Sequence, residues 1–162
     1  MASFITSYGF NNAWPDQVSD MATTQKYALG TIRVDNGCEY IYCKNQSSSV
    51  AIKDGYGVAM YGSTSPAYEV EVASAAGQFV VGFVWYDDVP ASTYFWALRK
   101  GITPAGLTHT GLIVEGTLTA DATCAISAAG GVCATVSAGF KPIGVAIESG
   151  STDQYKKVWV NV

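Results

Sequence analysis

Residues 31–44 read TIRVDNGCEYIYCK and contain the strongest local signal for the fold. The pair Asn36-Gly37 supplies residues that tolerate the positive φ angles of a tight hairpin turn. Strand-forming residues flank this turn on both sides, from Thr31 to Val34 before it and from Cys38 to Lys44 after it. The stretch therefore predicts a β-hairpin.

The second strand of this hairpin carries large side chains on both of its faces. Successive side chains of a strand point to opposite faces, so the strand divides into two sets: Cys38, Tyr40 and Tyr42 on one face, and Glu39, Ile41 and Cys43 on the other. A strand exposed to water on one side would show polar residues there. We therefore expect protein on each side of this strand.

Further short strands are predicted along the rest of the chain, separated by Gly, Pro, Asp and Ser clusters that favour turns. They are Val50–Ile52, Gly57–Tyr61, Tyr68–Val72, Phe79–Tyr86, Thr93–Arg99, Leu112–Leu118, Thr123–Ile126, Val132–Val136, Ile143–Ile147 and Lys157–Val162. A spacing of about 8–12 residues is typical of sandwiches and barrels. The sequence predicts an all-β fold, an antiparallel β-sandwich or barrel, with residues 30–162 as a single compact domain.

The chain contains unusually few charged residues for its size. Only 14% of its 162 residues are charged and the mean hydropathy is +0.18, whereas globular chains average about 25% charged residues. A small soluble monomer carries mixed charges over much of its surface. We therefore expect part of this surface to be covered by other protein, as in a subunit of an assembly.

Charge and hydropathy argue against two classes of partner. The net charge of −4 and the nine scattered basic residues do not suit a phosphate backbone, so no nucleic acid is expected. The longest uncharged run, Ala122 to Phe140, is rich in Ala, Ser, Thr and Gly, which would insert poorly into lipid, so no membrane partner is expected. Met1 to Ile5 lacks the basic start of an export signal, which predicts synthesis in the cytoplasm.

Residues 1–29 differ from the remainder of the chain. They carry aromatic residues without strand alternation, and Pro15 disfavours a regular element. We expect an extended N-terminal arm that docks on a neighbouring subunit. A single buried aromatic residue can dominate an interface, so Trp14 is the predicted anchor. The other predicted contact residues are Phe4, Tyr8, Phe10 and Pro15.

Candidate catalytic and metal-binding residues are few. The one histidine, His109, lies in a polar loop-like stretch, and a nucleophile requires an adjacent base that a third group orients. Asp87 and Asp88 could form half of a carboxylate pair or a calcium ligand set, but Asp also favours turns after buried strands. We expect no enzyme activity, no cofactor and no metal.

The four cysteines match no common zinc pattern in their spacing. Cys124 and Cys133 flank the predicted turn at 128–131, which would allow a cross-strand disulfide between them. The lack of an export signal instead favours free buried thiols at synthesis. Both states stay open at this level.

Ten Tyr and four Trp residues raise an alternative function, because planar rings can stack on sugars. Aromatic residues within strands more often fill a core or a subunit contact, and Trp85, Trp96 and Trp159 all lie in predicted strands. The alternatives are therefore a carbohydrate-binding or adhesive β module, with a host-surface glycan as ligand, and a tail or fibre subunit.

An ordered series of motifs resembles the decoration proteins, or auxiliary capsid proteins, of tailed bacteriophages. The six motifs are, in chain order, Leu29-Gly30-Thr31, the Tyr-rich hairpin stretch Asp35 to Tyr42, Gly55 to Ala59, Val80 to Val84, Tyr94 to Gly101 and Ile143 to Ala146. The resemblance implies a β-tulip-like or sandwich domain, often assembled as a homotrimer. It also implies a partner, the major capsid protein, and a location on the outer capsid surface of the virion. By the same resemblance, Trp96 and Arg99 lie in trimer or core packing.

Overall fold

The computed structural model describes residues 16–62, 68–133 and 142–162, except for the side chain of Cys133. These residues form strands and loops without a helix, which confirms the all-β prediction. The strands are β1 Ile32–Asp35, β2 Cys38–Asn45, β3 Gly57–Met60, β4 Glu69–Val72, β5 Val80–Phe83, β6 Tyr94–Ile102, β7 Leu112–Ile113, β8 Thr117–Leu118, β9 Thr123–Ile126, β10 Val132–Cys133, β11 Pro142–Ala146, β12 Gly150–Ser151, β13 Tyr155–Lys156 and β14 Val158–Asn161.

The hairpin predicted from residues 31–44 is confirmed. β1 and β2 pair antiparallel, with Asp35 opposite Cys38 across a turn of two residues. Asn36 and Gly37 both have positive φ, 48° and 77°. This is the backbone that a tight hairpin turn requires and that Asn and Gly adopt at little steric cost.

A five-stranded barrel forms the centre of the molecule. Its strands follow the order β2-β4-β3-β5-β6, and pairing of β6 with β2 closes the ring. Every pair in the ring is antiparallel except β2 with β4, where Lys44 lies opposite Glu69 in a parallel ladder. The antiparallel prediction is therefore wrong for this one pair. The chain leaves β2, crosses to β3 through residues 46–56 and then inserts β4 between the two strands.

The sheet continues beyond the barrel on the far edge of β6. β14, β11, β9 and β10 follow in that order, so one ten-stranded sheet contains both the barrel and a further layer. Two small ladders, β12 with β8 and β13 with β7, connect the loops of this layer. The long β6 thus belongs to both parts of the fold.

Two hydrophobic clusters lie on the two sides of the barrel wall. The inner cluster takes side chains from all five barrel strands, among them Ile41, Val58, Val70, Val81 and Phe95. The outer cluster contains side chains from the opposite faces of β2, β3, β5 and β6 together with the additional layer. Its members include Tyr40, Tyr42, Trp96, Leu112, Ile143 and Val158. β2 is buried on both faces, as its sequence predicts.

Several predicted strands are shorter than expected. Residues 50–52 contribute a single bridge, Ile52 to Val89. The predicted strand 112–118 is divided into β7 and β8, because Val114 forms only a single bridge to Val132 and the chain bends at residues 115–116, where Gly116 adopts a φ of 102°. β12 and β13 were not predicted, since two-residue strands carry no alternation that a sequence could reveal.

Residues 16–29 pack on the β domain of their own chain. Val18, Tyr27 and Leu29 contact the outer cluster, and Ala22 bridges to Tyr94 of β6. A further contact comes from Met21, which packs on the inner cluster. Docking of an arm on a neighbouring subunit stays a prediction, and for these fourteen residues the structure shows contacts within one chain.

Candidate functional site

One face of the sheet is exposed and apolar. Ten large hydrophobic side chains are exposed among the described residues, and six of them lie on this face. We define the apolar sheet face by these six residues: Ile32 and Val34 on β1, Ile102 at the end of β6, Trp159 on β14, Val145 on β11, and Ile147 directly after β11. Exposed apolar patches of this kind mark interaction sites more often than chance.

Strand register places Trp159 at the centre of this face. Trp159 lies opposite Ile102 on one side and opposite Val145 on the other. Directly opposed residues of antiparallel strands share a face, so the three side chains form one row across β6, β14 and β11. Trp159 is 39% exposed, while its neighbours Val158 and Val160 are fully buried. β14 therefore buries one face and presents the other.

Charged residues border the apolar row on both sides. Lys100 lies opposite Glu39 and Asn161, one step along the strands from the row. Arg99 forms an ion pair with Glu39 across β6 and β2. On the other side of the row, the backbone N–H of Lys157 donates a hydrogen bond to Glu148 over 3.2 Å. Glu39 and Lys100 thus lie on the same side of the sheet and separate Ile32 and Val34 of β1 from the row of Ile102, Trp159 and Val145.

The two residues assigned to trimer or core packing lie in different environments. Trp96 is 2% exposed and packs in the outer cluster, with its ring centroid 4.9 Å from that of Tyr42 and 5.3 Å from that of Tyr27. Arg99 is partly exposed at the margin of the apolar sheet face and pairs with Glu39. Trp96 is a core residue, and Arg99 is the one of the two that a partner could reach.

The remaining predicted contact residues lie outside the described part of the chain. They are the arm residues Phe4, Tyr8, Phe10, Trp14 and Pro15, whose role stays a prediction. The proposed disulfide also stays a prediction, because the side chain of Cys133 is not described. The backbone register pairs Cys133 with Ala125, and Cys124 with Gly144 of β11, so the two cysteines are not directly opposed.

A network of buried polar groups anchors residues 16–29. Arg33, which is 5% exposed, donates to the backbone oxygen of Asp16 over 2.8 Å and pairs with Asp35 over 2.9 Å. Tyr27 donates its hydroxyl proton to the Asp16 carboxylate over 2.6 Å. Burial, together with this hydrogen bond, raises the pKa of Tyr27 to about 12. The tyrosine therefore stays a donor at any physiological pH.

The structure brings His109 to a partner that the sequence did not indicate. Its Nδ1 lies 3.4 Å from a carboxylate oxygen of Asp54, a side chain that is 4% exposed. The imidazole stacks on the ring of Tyr155 at 3.8 Å with an angle of 6° between the planes. Burial raises the pKa of Asp54, and His109 opposes that shift. No signal in the sequence links positions 54, 109 and 155, which meet only through the loops.

This cluster has the base and orienting groups of an acid–base site but lacks the remaining parts. A catalytic arrangement also needs a nucleophile or a bound substrate beside the imidazole, and no contact of that kind is formed by residues of the described ranges. Within those ranges, no three His, Cys, Asp or Glu side chains are placed to share a metal ion. The contacts present connect two loops with β13.

Comparison with known protein families and with curated proteins finds no match to this sequence. In the part of the chain that the structure describes, no helix is long and apolar enough to cross a membrane. The candidate site is therefore defined by the chain itself. It is the apolar sheet face, a surface suited to protein contact.

Proposed function

We propose that this chain is a viral structural protein that decorates the outside of a tailed-phage capsid and stabilises the shell by binding the lattice of the major capsid protein. The observation that carries the proposal is the apolar sheet face, six exposed hydrophobic side chains gathered on one side of a chain with only 14% charged residues. Such a chain lowers its free energy by contact with other protein. The motifs that resemble decoration proteins favour a phage capsid as this other protein.

In this proposal the two parts of the chain have different tasks. The β domain is a rigid body with a double-sided core, and residues 1–15 reach the shell through Trp14 and its aromatic neighbours. Residues 16–29 connect these two parts of the chain. Their contacts with Arg33 and Trp96 fix the point from which the arm begins. Shell binding stabilises the closed lattice because a ligand that binds only the assembled state shifts the equilibrium toward it.

Co-sedimentation with undecorated capsids of the phage that encodes the chain tests this function. The full chain should pellet with the shells in a saturable manner. A variant that lacks residues 1–15 should stay folded, because it keeps Asp16 and its contacts, and should lose at least tenfold in affinity. Undiminished binding of that variant would remove the arm from the proposal. Absence of binding by the full chain would remove the function.

A carbohydrate-binding function is the second candidate, and the exposed ring of Trp159 favours it. The residues beside the ring weigh against it, because Ile102 and Val145 are aliphatic and offer no hydrogen bonds to sugar hydroxyls. Titration with host-surface glycans, with tryptophan fluorescence as the readout, distinguishes the two functions. A saturable change that disappears in a Trp159→Thr variant would favour the glycan.

A further inference from the structure

Two neighbouring cavities on the surface of the β domain form one groove. One encloses about 630 Å³ and the other about 550 Å³, and clefts of roughly 300–1,000 Å³ are typical of binding sites. The two cavities share four lining residues, which are Val18, Asn36, Trp85 and Ala105. We name the combined cavity the Trp85 groove. It has room for a large side chain.

Aromatic side chains line the Trp85 groove. The ring centroid of Trp85 lies 5.4 Å from that of Tyr40, which lines the larger cavity, and 5.4 Å from that of Tyr86, which lines the smaller one. The indole N–H of Trp85 donates a hydrogen bond to the backbone oxygen of Trp96 over 3.2 Å, which fixes the ring. Ala105 adds an apolar side chain from the loop after β6. The groove therefore suits another aromatic side chain, because aromatic rings pack favourably on one another.

The first described residue lies at the wall of this groove. Asp16 lines the smaller cavity. Its position is fixed, because its backbone oxygen accepts a hydrogen bond from Arg33 over 2.8 Å and its carboxylate accepts one from Tyr27 over 2.6 Å. Consecutive Cα atoms are ~3.8 Å apart, so the Cα atoms of Asp16 and Trp14 are separated by at most about 7.6 Å. The groove is therefore within reach of the Trp14 side chain.

The composition of residues 1–15 suits burial in such a groove. This segment contains four aromatic residues and no charged side chain, so its burial leaves no charged side chain without a partner. The short connection to Asp16 favours the arm of the same chain over that of another copy, because a short linker gives an effective concentration on the order of millimolar. Free copies in dilute solution would meet the groove of another chain far less often.

We propose that in the free chain the Trp85 groove binds the indole of Trp14 from the same chain. The groove then holds the arm until a shell binds it. Trp14 cannot occupy the groove and a shell at the same time, so the groove and the shell compete for this side chain. The competition rests on the proposed function, whereas docking in the free chain does not.

Fluorine NMR of the full chain, labelled with fluorotryptophan, tests the docking. The four tryptophans should give separate resonances, and a Trp14→Phe variant identifies that of Trp14. The structure supplies two references, the buried Trp96 at 2% exposure and the exposed Trp159 at 39%. The change in chemical shift between H₂O and D₂O reports exposure to solvent. For Trp14 this change should be small, as for Trp96.

Substitutions at Ala105 test whether the groove is the binding site. Ala105→Asp places a charge in the groove and Ala105→Phe fills it, and each should raise the solvent sensitivity of Trp14 to the level of Trp159. Two substitutions of different chemistry at one exposed position keep the test valid if one of them destabilises the fold. The matched control is Leu107→Asp, because Leu107 is 60% exposed on the same loop and lines neither cavity. This control should leave the Trp14 resonance unchanged.

Three results would overturn the inference. The first is a wild-type Trp14 resonance that is as sensitive to solvent as that of Trp159. The second is protection of Trp14 that both Ala105 variants preserve, because the side chain would then be buried elsewhere. The third is protection that is lost on dilution, because the groove would then hold the arm of another copy. Co-sedimentation with capsids can succeed or fail independently of these results.

Discussion

At the scale of single residues, the Asp54–His109 pair is the most unusual feature of the described structure. The Asp54 side chain is 4% exposed, and among the described residues its one side-chain partner of ion-pair type is His109, the one histidine of the chain. Tyr155 adds a stacking contact with the imidazole and a hydrogen bond from its hydroxyl to the backbone oxygen of Asp54, 3.3 Å away. The pair therefore connects the loop before β3 with the loop after β6 and with β13.

Replacing His109 by Gln should destabilise the protein. The Asp54 carboxyl group would lose its contact with the imidazole while it stays buried, and a buried polar group left without a partner costs about 1–3 kcal/mol. The double variant Asp54→Asn/His109→Gln should regain most of that loss, because no buried charge remains. Urea denaturation at neutral pH measures both effects. A double variant no more stable than His109→Gln would show that the charge is not the cause.

The pH dependence of stability gives a second view of the same carboxylate. Burial raises the pKa of Asp54 in the folded state, so the folded protein holds this proton more tightly than the unfolded chain does. The stabilisation from the protonated carboxyl is present in full below the unfolded value of about 3.9 and is lost as the pH rises through the folded pKa. As the pH rises through the folded pKa of Asp54, the stability of an Asp54→Asn variant relative to wild type should therefore increase. Above that pKa the difference should level off. Urea denaturation at a series of pH values measures this difference, and a flat difference would contradict the assignment.

At the scale of elements, residues 16–29 form part of the β domain. Their removal would take away Asp16, which contacts the buried guanidinium of Arg33. It would also take away Tyr27, whose ring packs on Trp96. Arg33 would keep its ion pair with Asp35, but the burial of Val18, Tyr27 and Leu29 would also be lost, at up to about 1.5–3 kcal/mol for a fully buried side chain.

A chain that begins at Gly30 should consequently melt roughly 10 °C or more below a chain that begins at Asp16. Circular dichroism of the two truncated proteins measures this difference. Equal melting temperatures would mean that residues 16–29 do not stabilise the β domain and belong to the arm.

Sequence patterns predicted the regular elements well and the connections poorly. The hairpin of β1 and β2 followed from Asn36-Gly37, and the burial of β2 on two faces followed from its alternating large side chains. The parallel pairing of β2 with β4 could not be predicted, because it depends on how the barrel closes and not on any local motif. The division of residues 112–118 into two strands depends on contacts with β13 and β12, which lie about 40 residues further along.

The candidate site was predictable only in part. The scarcity of charge indicated a covered surface, but it did not locate that surface. Trp159 was predicted to lie in a strand, with its ring in the core or in a subunit contact, and the structure exposes it between Ile102 and Val145. Alternation along VWVN indicates that one face is exposed. The residues that neighbour Trp159 on this face depend on how β6, β14 and β11 pair. No single segment of the sequence contains that information.

At the scale of the whole molecule, the barrel and its additional layer form a rigid unit with one apolar face. The five strands enclose the inner cluster and the second layer covers the outer cluster, while ten large hydrophobic side chains of the described residues stay exposed. A chain of this kind suits a structural role, in which a stable body presents a fixed surface to its neighbours. The proposed decoration of a capsid uses this property.

The most direct test of the central proposal is the thermal stability of undecorated shells with and without the full chain. The account predicts that saturating amounts of the chain raise the temperature at which the shells disrupt, because binding to the assembled lattice favours it by mass action. The Δ1–15 variant should give little of this increase. An unchanged disruption temperature at concentrations that fully occupy the shells would contradict the proposed function.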